Sequence, residues 1–304
     1  MYLICTHKNP DLDGIASLLS MTIIHRNRGD ECISLAQNIP EYMNFMNGLD
    51  LLSKEEALLK IDSYTLVCLD CSSKERVWPP NLYNKADKII NIDHHADNTF
   101  FGDENRVNPL VSSTSELLFT LFEENKIDLP LSVCENLYAG ILYDSGGFRY
   151  KNTNINTLST AVKLISRGLN PNTISENVFN LWNSRSFKLL SSVLSNSEYF
   201  KNESILYTYI SFEEVEKNKY IDADFEGVID ILRLNRNSRI ILFLRETKKN
   251  YFKGSIRSKF DINISDIAHK YGGGGHESAS GFEIESNNYK ELKEKIIKDL
   301  ENIL

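Results

Sequence analysis

Short apolar runs alternate with longer segments of helical periodicity in the first half of the chain. The apolar runs MYLIC, ECISLA, SYTLVCLD and KIINID have the length and composition of buried strands. Apolar residues recur every three or four positions in the segments 12–28, 113–125, 131–143 and 156–167, as on one face of a helix. This alternation predicts an α/β fold in which a mostly parallel sheet is covered by helices on both faces.

A different order of elements follows in the second half. After a one-sided polar segment at 184–196, the pattern predicts the strand SILYTYI, a helix near 212–219 and the adjacent strands RIILFLRE and YFKGSIRS. A short helix from about residue 264 precedes a glycine-rich stretch, and a last helix covers 289–303. We therefore predict two domains, 1–185 and a smaller α/β domain at 201–304, joined by a linker at 186–200.

Length and composition agree with a two-domain soluble protein. The 304 residues are many for one compact core, and 41% hydrophobic with 25% charged residues is ordinary for globular proteins. The start MYLICTHKNPD lacks the basic and long apolar regions of a signal peptide. No stretch approaches the roughly 20 apolar residues of a membrane helix. We expect a cytoplasmic protein with no membrane partner.

The five cysteines do not form a recognisable framework. Their number is odd and their spacing is wide, which argues against disulfides. Cys68 and Cys71 have C-x-x-C spacing but lack the second pair of a zinc ribbon. We interpret the cysteines as packed thiols.

Charge is distributed unevenly along the chain. The formal net charge of −8 disfavours binding of long double-stranded nucleic acid. The segment 230–260 nevertheless has nine Lys and Arg residues against two Asp and Glu residues. Two interpretations stay open at this point: a local anion-binding site, or a solvated edge strand whose lysines discourage aggregation.

Aspartate and histidine side chains cluster at the ends of the predicted strands and of one helix. In chain order they are His7, Asp11, Asp13, Asp70, Asp93, His94, His95 and Asp144. Taken alone, an aspartate at a strand end usually caps the following helix. Their joint occurrence, at positions that meet beyond the carboxyl ends of parallel strands, instead indicates one crevice lined by metal ligands.

This set of ligands favours two transition-metal ions. Carboxylate oxygens bind hard divalent cations, and imidazole shifts the preference towards Mn²⁺ rather than Mg²⁺ or Ca²⁺. About six ligands exceed what one catalytic ion with open positions needs, but they suit two ions about 3.5–4 Å apart that share a bridging carboxylate. Such a pair activates a water and stabilises the charge that develops on a phosphoryl group.

A second candidate site lies in the glycine-rich stretch YGGGGHESASG. Gly273, Gly274 and Gly275 let backbone N–H groups approach an anion, and His276 adds a donor at the same place. Arg257, on the strand before, has a planar fork that suits a phosphate or a base edge. We favour a clamp for a nucleotide phosphate, and the alternative is a flexible turn.

Five motifs resemble those of one superfamily. THKNPDLDGIAS, LDCS, NIDHHADN and YDSGGFRY resemble the four motifs of the DHH phosphoesterases. GSIRSKFDINISDIAHKYGGGGHESASGF resembles the glycine-rich motif of the DHHA1 subfamily. The motifs occur in the right order over nearly the full chain. The compact two-domain layout is most similar to the small oligoribonucleases (nanoRNases) and 3′,5′-bisphosphate nucleotide phosphatases.

The resemblance implies a role for each residue of the first crevice. The ligands of one Mn²⁺ would be His7 and Asp11, and those of the other would be Asp13, His94 and Asp144. Asp70 would bridge the two ions, His95 would face the leaving group or a phosphate oxygen, and Asp93 would orient a ligand.

Two positions of the first motif depart from the pattern of this superfamily. Leu12 stands between the two aspartates of the first motif and Gly14 follows them, where many relatives have glycine and then alanine. The spacing of the ligands survives this difference, so we expect metal binding to survive as well.

We therefore expect a Mn²⁺-dependent phosphoesterase whose active site lies in the cleft between the domains. Its substrates would be short oligonucleotides or 3′,5′-bisphosphate adenosine (pAp), with a phosphate held by Arg257, the glycines and His276. The rival is a cyclic or linear dinucleotide (c-di-AMP or pApA) signalling phosphodiesterase with the same metal ligands. A nucleotide-binding regulator without catalysis is disfavoured, because no metal ligand is missing. The oligomeric state, monomer or homodimer, stays open.

Overall fold

The computed structural model describes residues 1–180, 182–260 and 262–304. The chain divides into two compact units, Met1–Asn180 and Leu181–Leu304, and each has a hydrophobic core. The cysteines are free thiols, and all of them except Cys32 are buried. No helix within the described residues is long and apolar enough to cross a lipid bilayer.

A parallel sheet forms the centre of the first unit. Its strands are β1 (Tyr2–Cys5), β2 (Cys32–Leu35), β3 (Tyr64–Leu69), β4 (Ala86–Asp93) and β5 (Glu104–Val107). Over the described residues the strand order is β2-β1-β3-β4-β5, and all neighbouring pairs are parallel. The predicted α/β class is therefore confirmed. The hydrophobic pattern does not predict β5, because none of its residues is fully buried.

Helices cover one face of this sheet. They are α1 (Leu12–Asn27), α2 (Thr114–Glu124), α3 (Leu131–Asp144), α4 (Ile155–Ser166) and α5 (Pro171–Phe179). Because side chains alternate along a strand, Ile4 of β1 and Val67 of β3 point towards these helices. Leu3 and Leu66 point to the opposite face, where short 3₁₀ helices and loops contribute Leu82 and its neighbours. The second face is thus covered by shorter elements than the α-helices that the sequence pattern predicts there.

A mixed sheet forms the centre of the second unit. Its strands are β6 (Glu198–Phe200), β7 (Ile205–Ile210), β8 (Ile240–Lys248), β9 (Tyr251–Ser258), β10 (Gly274–His276) and β11 (Ala279–Glu285). Its helices are α6 (Ser184–Ser195), α7 (Phe212–Asn218), α8 (Val228–Leu232), α9 (Ser265–Lys270) and α10 (Tyr289–Asn302). As far as the unit is described, the strand order is β10-β11-β9-β8-β7-β6. Strands β7 and β8 are parallel, and the other neighbouring pairs are antiparallel.

The segment 186–200, predicted as a linker, has regular structure. It contains most of α6 and all of β6, which pairs antiparallel with β7. Leu189 and Val193 of α6 are buried in a core with Ile241 of β8, while the rest of the helix is largely polar. A one-sided polar pattern is typical of a helix that lies on a sheet, and here it marks a surface helix of the second unit.

Candidate metal centre

The predicted ligands of the first unit meet at one edge of its sheet. Strands β1, β3 and β4 are parallel neighbours, so their carboxyl ends lie side by side. His7 follows β1, Asp70 follows β3 and His94 follows β4. The start of α1 and the end of α3 contribute Asp11, Asp13 and Asp144. The order of strands in the sheet is therefore what brings residues distant in sequence together.

Within the described residues, three groups of side chains could each hold a metal ion. In each group the ligand atoms lie within 4.8 Å of one another. The groups are His7, Asp11 and Asp70; Asp13, His94 and Asp144; and Asp70, His94 and His95. Every residue predicted as a ligand belongs to at least one group, and the groups overlap at Asp70 and His94.

Asp70 lies at the middle of this cluster. Its Oδ2 is 3.5 Å from His7 Nε2, and its Oδ1 is 3.7 Å from His94 Nε2 and 3.5 Å from His95 Nδ1. The residue is buried, and its backbone is left-handed with φ +59°, a conformation that aspartate adopts more readily than most residues. The carboxylate thus presents one oxygen to His7 and the other to the two histidines after β4.

Asp13 is held by the start of α2, a contact that the sequence pattern does not predict. Thr114 and Ser115 donate their backbone N–H groups to the two Asp13 oxygens at 2.7 and 3.0 Å. The Thr114 hydroxyl donates to Asp70 Oδ1 at 2.9 Å. The sequence gives only a local indication of this contact. A serine followed three residues later by a glutamate is typical of a helix N-terminus, and Ser113 caps α2 in this way. That signal predicts where a helix begins but not which carboxylates it contacts.

Glu116 joins the start of α2 to α4. It is 1% exposed and accepts hydrogen bonds from the Ser112 N–H at 2.8 Å and the Ser112 hydroxyl at 2.6 Å. The same carboxylate oxygen accepts the Thr157 hydroxyl at 2.9 Å. Thr157 also forms the capping box that begins α4 with Asn154. A buried carboxylate therefore ties the turn that holds Asp13 to a neighbouring helix.

Asp93 orients the ring of His95. His95 Nδ1 lies 2.7 Å from Asp93 Oδ1, and the other Asp93 oxygen accepts a hydrogen bond from Asn98 Nδ2 at 2.6 Å. Burial acts to lower the pKa of His95, but the hydrogen bond to Asp93 and the charge of Asp70 outweigh burial and raise the pKa. The ring is therefore fixed beside Asp70 and favours its protonated form.

The charges in this cluster require a cation. Burial acts to lower the pKa of His7, yet the nearby carboxylates of Asp11 and Asp70 outweigh burial and raise that pKa to about 10. The pKa of His94 is likewise raised to about 10, because Asp144 and Asp70 outweigh the effect of burial. Burial raises the pKa of Asp144 itself to about 6. Buried carboxylates need positive charge nearby, which protonated rings or metal ions can supply.

The surroundings of His7 fit a divalent cation. Its Nδ1 lies 3.0 Å from the Lys8 carbonyl oxygen, a contact that places the hydrogen of a neutral ring on Nδ1 and the lone pair on Nε2. Nε2 is buried and has no hydrogen-bond partner among the described residues. Gly14 keeps the space open, since a Cβ there would lie 3.2 Å from Nε2 and 2.7 Å from the Thr6 hydroxyl. An imidazole lone pair that faces two carboxylates is a site for a metal ion.

Arg257 and His276 lie on one face of the second unit's sheet. Ala279 of β11 pairs directly with His276 of β10 and with Arg257 of β9. Directly paired residues of antiparallel strands point to the same face, so the two side chains flank the small Ala279 at about 10 Å, twice the strand spacing. Arg257, Ala279 and His276 therefore form a row across three neighbouring strands.

The glycine run belongs to the same sheet. Gly274 and Gly275 are part of β10, which pairs with β11. A Cβ on Gly273 would lie 2.0 Å from the Gly281 carbonyl oxygen, and Gly275 has φ +133°. The close approach of β11 therefore explains the glycines at 273 and 275, and a flexible turn does not describe β10. The predicted phosphate clamp stays a prediction.

The basic segment 230–260 lies on interior strands. Most of it forms β8 and β9, and neither is at an edge of the described sheet, so the edge-strand interpretation is wrong. Arg245 is used within the unit, where it pairs with Asp222 at 2.9 Å. Burial and the charge of Arg233 lower the pKa of Lys259, which indicates that two cations lie close together beyond the end of β9. This local excess of positive charge favours the anion-site interpretation.

Comparison with known proteins identifies the class that this fold and site define. The DHH family, N-terminal domain, matches residues 1–141, and the DHHA1 domain matches residues 202–303. The chain belongs to the DHH/DHHA1 phosphoesterases, a metal-dependent family of hydrolases. Asp144 follows the first matched segment by three residues.

Individual relatives match over nearly the full chain. The bifunctional oligoribonuclease and PAP phosphatase NrnA of Thermus thermophilus is 26% identical over 97% of this chain and 87% of that protein. The Bacillus subtilis protein with the same description is 29% identical over 98% of this chain and 92% of that protein. The crystal structure of an exopolyphosphatase-related protein from Bacteroides fragilis matches with a TM-score of 0.86 at 26% identity, covering 98% and 90% of the two chains. The chain is thus a distant homologue of NrnA.

Proposed function

We propose that this chain hydrolyses phosphate esters of short nucleotides, cleaving short oligoribonucleotides and removing a phosphate from pAp. The observation that carries the proposal is the Asp70 carboxylate, which is shared between histidine-containing groups on its two sides. Two-metal phosphoesterases use this arrangement of a shared carboxylate between two sets of ligands. The descriptions of the T. thermophilus and B. subtilis relatives support the substrate class.

Two Mn²⁺ ions fit the ligands of the cluster. His7, Asp11 and Asp70 would hold one ion, and Asp13, His94 and Asp144 would hold the other. Asp70 Oδ1 lies 3.7 Å from His94 Nε2, so Asp70 would be the carboxylate that the two sets of ligands share. The mixture of imidazole and carboxylate favours Mn²⁺ over Mg²⁺ or Ca²⁺. When bound, such ions activate a water and stabilise negative charge on a phosphoryl group.

His95 acts on the reacting phosphate together with Asp70. Asp93 and Asp70 raise the pKa of His95 and so favour its protonated form, and Asp93 holds the ring at a fixed orientation. A fixed cationic donor stabilises charge that develops on the phosphoryl or leaving-group oxygen. We therefore assign Asp70 and His95 as the catalytic residues and Asp93 as the residue that positions His95.

The second unit binds a phosphate of the substrate. Arg257 and His276 flank Ala279, and the backbone of Gly273, Gly274 and Gly275 runs beside them. Guanidinium and backbone N–H donors are groups that bind phosphate. A row of this length suits one terminal phosphate, and the net charge of −8 disfavours a long polyanion.

The test is product analysis with Mn²⁺ and a panel of substrates. The panel contains pAp, a pentaribonucleotide, linear pApA, c-di-AMP and pyrophosphate. We expect turnover of the pentaribonucleotide and of pAp. Faster turnover of c-di-AMP or pApA than of either would instead assign the chain to dinucleotide signalling with the same site. A metal-loaded protein that turns over no member of the panel would overturn the proposal.

Asp70→Asn connects any turnover to the metal centre. Asparagine has the same size and also tolerates a left-handed backbone, but it lacks the shared negative charge. We expect kcat to fall at least about 100-fold. Replacing even a residue that only orients a metal ligand lowers metal affinity or activity about 10- to 100-fold. Asp62→Asn is the control, since Asp62 is exposed and belongs to none of the three groups. Equal activity of the two variants would contradict the assignment of the site.

A further inference from the structure

Two buried polar atoms at the candidate metal centre have no hydrogen-bond partner. Five such side-chain atoms occur among the described residues, and two of them, Thr6 Oγ1 and His7 Nε2, belong to neighbouring residues. Thr6 is 0% exposed. A buried hydroxyl without a partner lowers the stability of a protein, because it loses its hydrogen bonds with water and gains none in return. The Thr6 hydroxyl therefore needs an explanation other than the stability of the fold.

Other buried threonines of the first unit use their hydroxyls within the chain. Thr22 donates to the Leu18 carbonyl oxygen at 2.7 Å. Thr114 donates to Asp70 Oδ1 at 2.9 Å. These hydroxyls fix a helix and a predicted metal ligand, respectively, whereas the hydroxyl of Thr6 fixes neither.

The Thr6 hydroxyl borders the space in front of Gly14. A Cβ on Gly14 would lie 2.7 Å from Thr6 Oγ1, 3.2 Å from His7 Nε2 and 3.4 Å from Asp70 Oδ2. The three polar atoms therefore surround one small space, and two of them belong to a group that could hold a metal ion. The backbone holds Thr6 in this place, because its carbonyl oxygen accepts the Trp78 N–H at 3.1 Å.

Oxygen atoms from outside the chain are the partners that this space can receive. His7, Asp11 and Asp70 offer three ligand atoms, fewer than the six of an octahedral ion. Solvent molecules or a substrate phosphate supply oxygen atoms that complete such a set. Both kinds of oxygen accept a hydrogen bond from a hydroxyl.

We propose that the Thr6 hydroxyl donates a hydrogen bond to an oxygen atom that enters the centre together with a metal ion, from solvent or from a substrate phosphate. The inference rests on the proposed function and deepens it, because it adds a donor to the same centre. Thr6 differs in this from Thr114, whose hydroxyl already binds Asp70 in the metal-free protein.

The test measures the metal-free protein and the loaded protein separately. Thr6→Val replaces the hydroxyl by a methyl group of similar size. Because the hydroxyl has no partner in the metal-free protein, its removal should raise the melting temperature of that form by about 2–4 °C. The same substitution should weaken binding at the loaded centre about tenfold. A hydroxyl that only supports the fold would not give these opposite effects.

Two calorimetric titrations distinguish the sources of the oxygen atom. Mn²⁺ is titrated into the protein without phosphate, and inorganic phosphate is titrated into the protein loaded with Mn²⁺. A tenfold loss of Mn²⁺ affinity in Thr6→Val would support the proposal with a solvent oxygen, and a loss confined to phosphate would support it with a substrate oxygen. Neither titration requires turnover, so both decide this inference even if the proposed hydrolysis is not observed.

Two further variants serve as controls. Thr6→Ser keeps the hydroxyl and should bind Mn²⁺ and phosphate like the unaltered protein. Thr22→Val removes a hydroxyl that is equally buried but has a partner, so it should lower the melting temperature and leave both affinities unchanged.

Three results would overturn the proposal. The first is a Thr6→Val variant that keeps both affinities. The second is a Thr6→Val variant whose metal-free form melts at a lower temperature than the unaltered protein, since the hydroxyl would then have a partner there. The third is an equal loss of affinity in Thr6→Ser and Thr6→Val, since the hydroxyl would then not be responsible.

Discussion

Asp70 combines two properties that oppose each other, burial and negative charge. Burial alone would raise the pKa of its carboxyl group, but the neighbouring His7 ring and the charges of His95 and His94 lower the pKa below its ordinary range. The group is therefore ionised wherever its neighbours carry positive charge. A carboxylate that stays ionised while buried is a strong ligand for a divalent cation.

Thr114→Val tests the contact that fixes Asp70. Valine has nearly the same shape as threonine but cannot donate the 2.9 Å hydrogen bond to Asp70 Oδ1. We expect metal affinity and activity to fall about 10- to 100-fold, because residues that orient metal ligands have effects of this size. Isothermal titration with Mn²⁺ and steady-state kinetics measure both quantities.

Thr120→Val is the control for this substitution. Thr120 lies on the same helix, and its hydroxyl donates to the Glu116 carbonyl oxygen rather than to a predicted ligand. Its substitution should leave Mn²⁺ affinity unchanged. If both variants lose affinity equally, the effect arises from the stability of α2 and not from Asp70.

Metal uptake should release protons. In the metal-free protein the pKa values of His7 and His94 are raised to about 10, so both rings are protonated at pH 7 to 8. A metal ligand must be neutral imidazole, so binding removes these protons and metal affinity rises with pH, up to about tenfold per unit for each proton released. Titration calorimetry in buffers of different ionisation enthalpy counts the protons. His25→Ala, outside the three groups, should leave the count unchanged, and a count of zero would refute the prediction.

At the scale of elements, helix α2 makes contacts with the candidate metal centre that its sequence does not predict. Its first two N–H groups bind the oxygens of Asp13, and its first hydroxyl binds Asp70. The N-terminus of a helix carries partial positive charge, which stabilises carboxylates there. The helix thus holds two predicted ligands that approach from two other elements, α1 and the end of β3.

Strand β11 gives an independent test of the proposal that the row of Arg257, Ala279 and His276 binds phosphate. Ala279→Leu would project a bulky side chain between His276 and Arg257, with which Ala279 is paired. We expect KM for pAp to rise about tenfold, which corresponds to about 1.4 kcal/mol, while Mn²⁺ affinity stays the same. Glu283→Leu, an exposed position on the same face of β11, is the control. A change in KM for neither variant would place substrate phosphate elsewhere.

At the scale of the whole molecule, the two units should respond differently to metal removal. All residues of the three groups that could hold a metal ion belong to Met1–Asn180. A metal that binds the folded unit at 100 to 1,000 times its Kd stabilises it by about 3–4 kcal/mol. Chelation should therefore increase hydrogen exchange in α1 and α2 and leave β8 and β9 unchanged. Equal increases in both units would contradict a centre confined to the first.

The sequence predicts which aspartates and histidines cluster better than it predicts the residues that support them. His7, Asp70 and His94 follow apolar strands, and parallel strand ends converge wherever such a sheet forms. The role of Thr114 could not be predicted, because capping signals act within one turn and carry no information on distant contacts. The basic segment 230–260 was open to two interpretations since the order of strands in a sheet does not follow from their periodicity. The contacts between residues that are distant in sequence could therefore be established only from the structure.

Glu116 has a consequence for the stability of the candidate metal centre. Its carboxylate binds Ser112 beside the turn that holds Asp13, and it binds Thr157 in the first turn of α4. Because a single carboxylate oxygen accepts all three hydrogen bonds, its removal would leave buried donors of two elements without that acceptor. A residue that belongs to none of the three groups thus contributes to the free energy needed to displace the turn that positions Asp13.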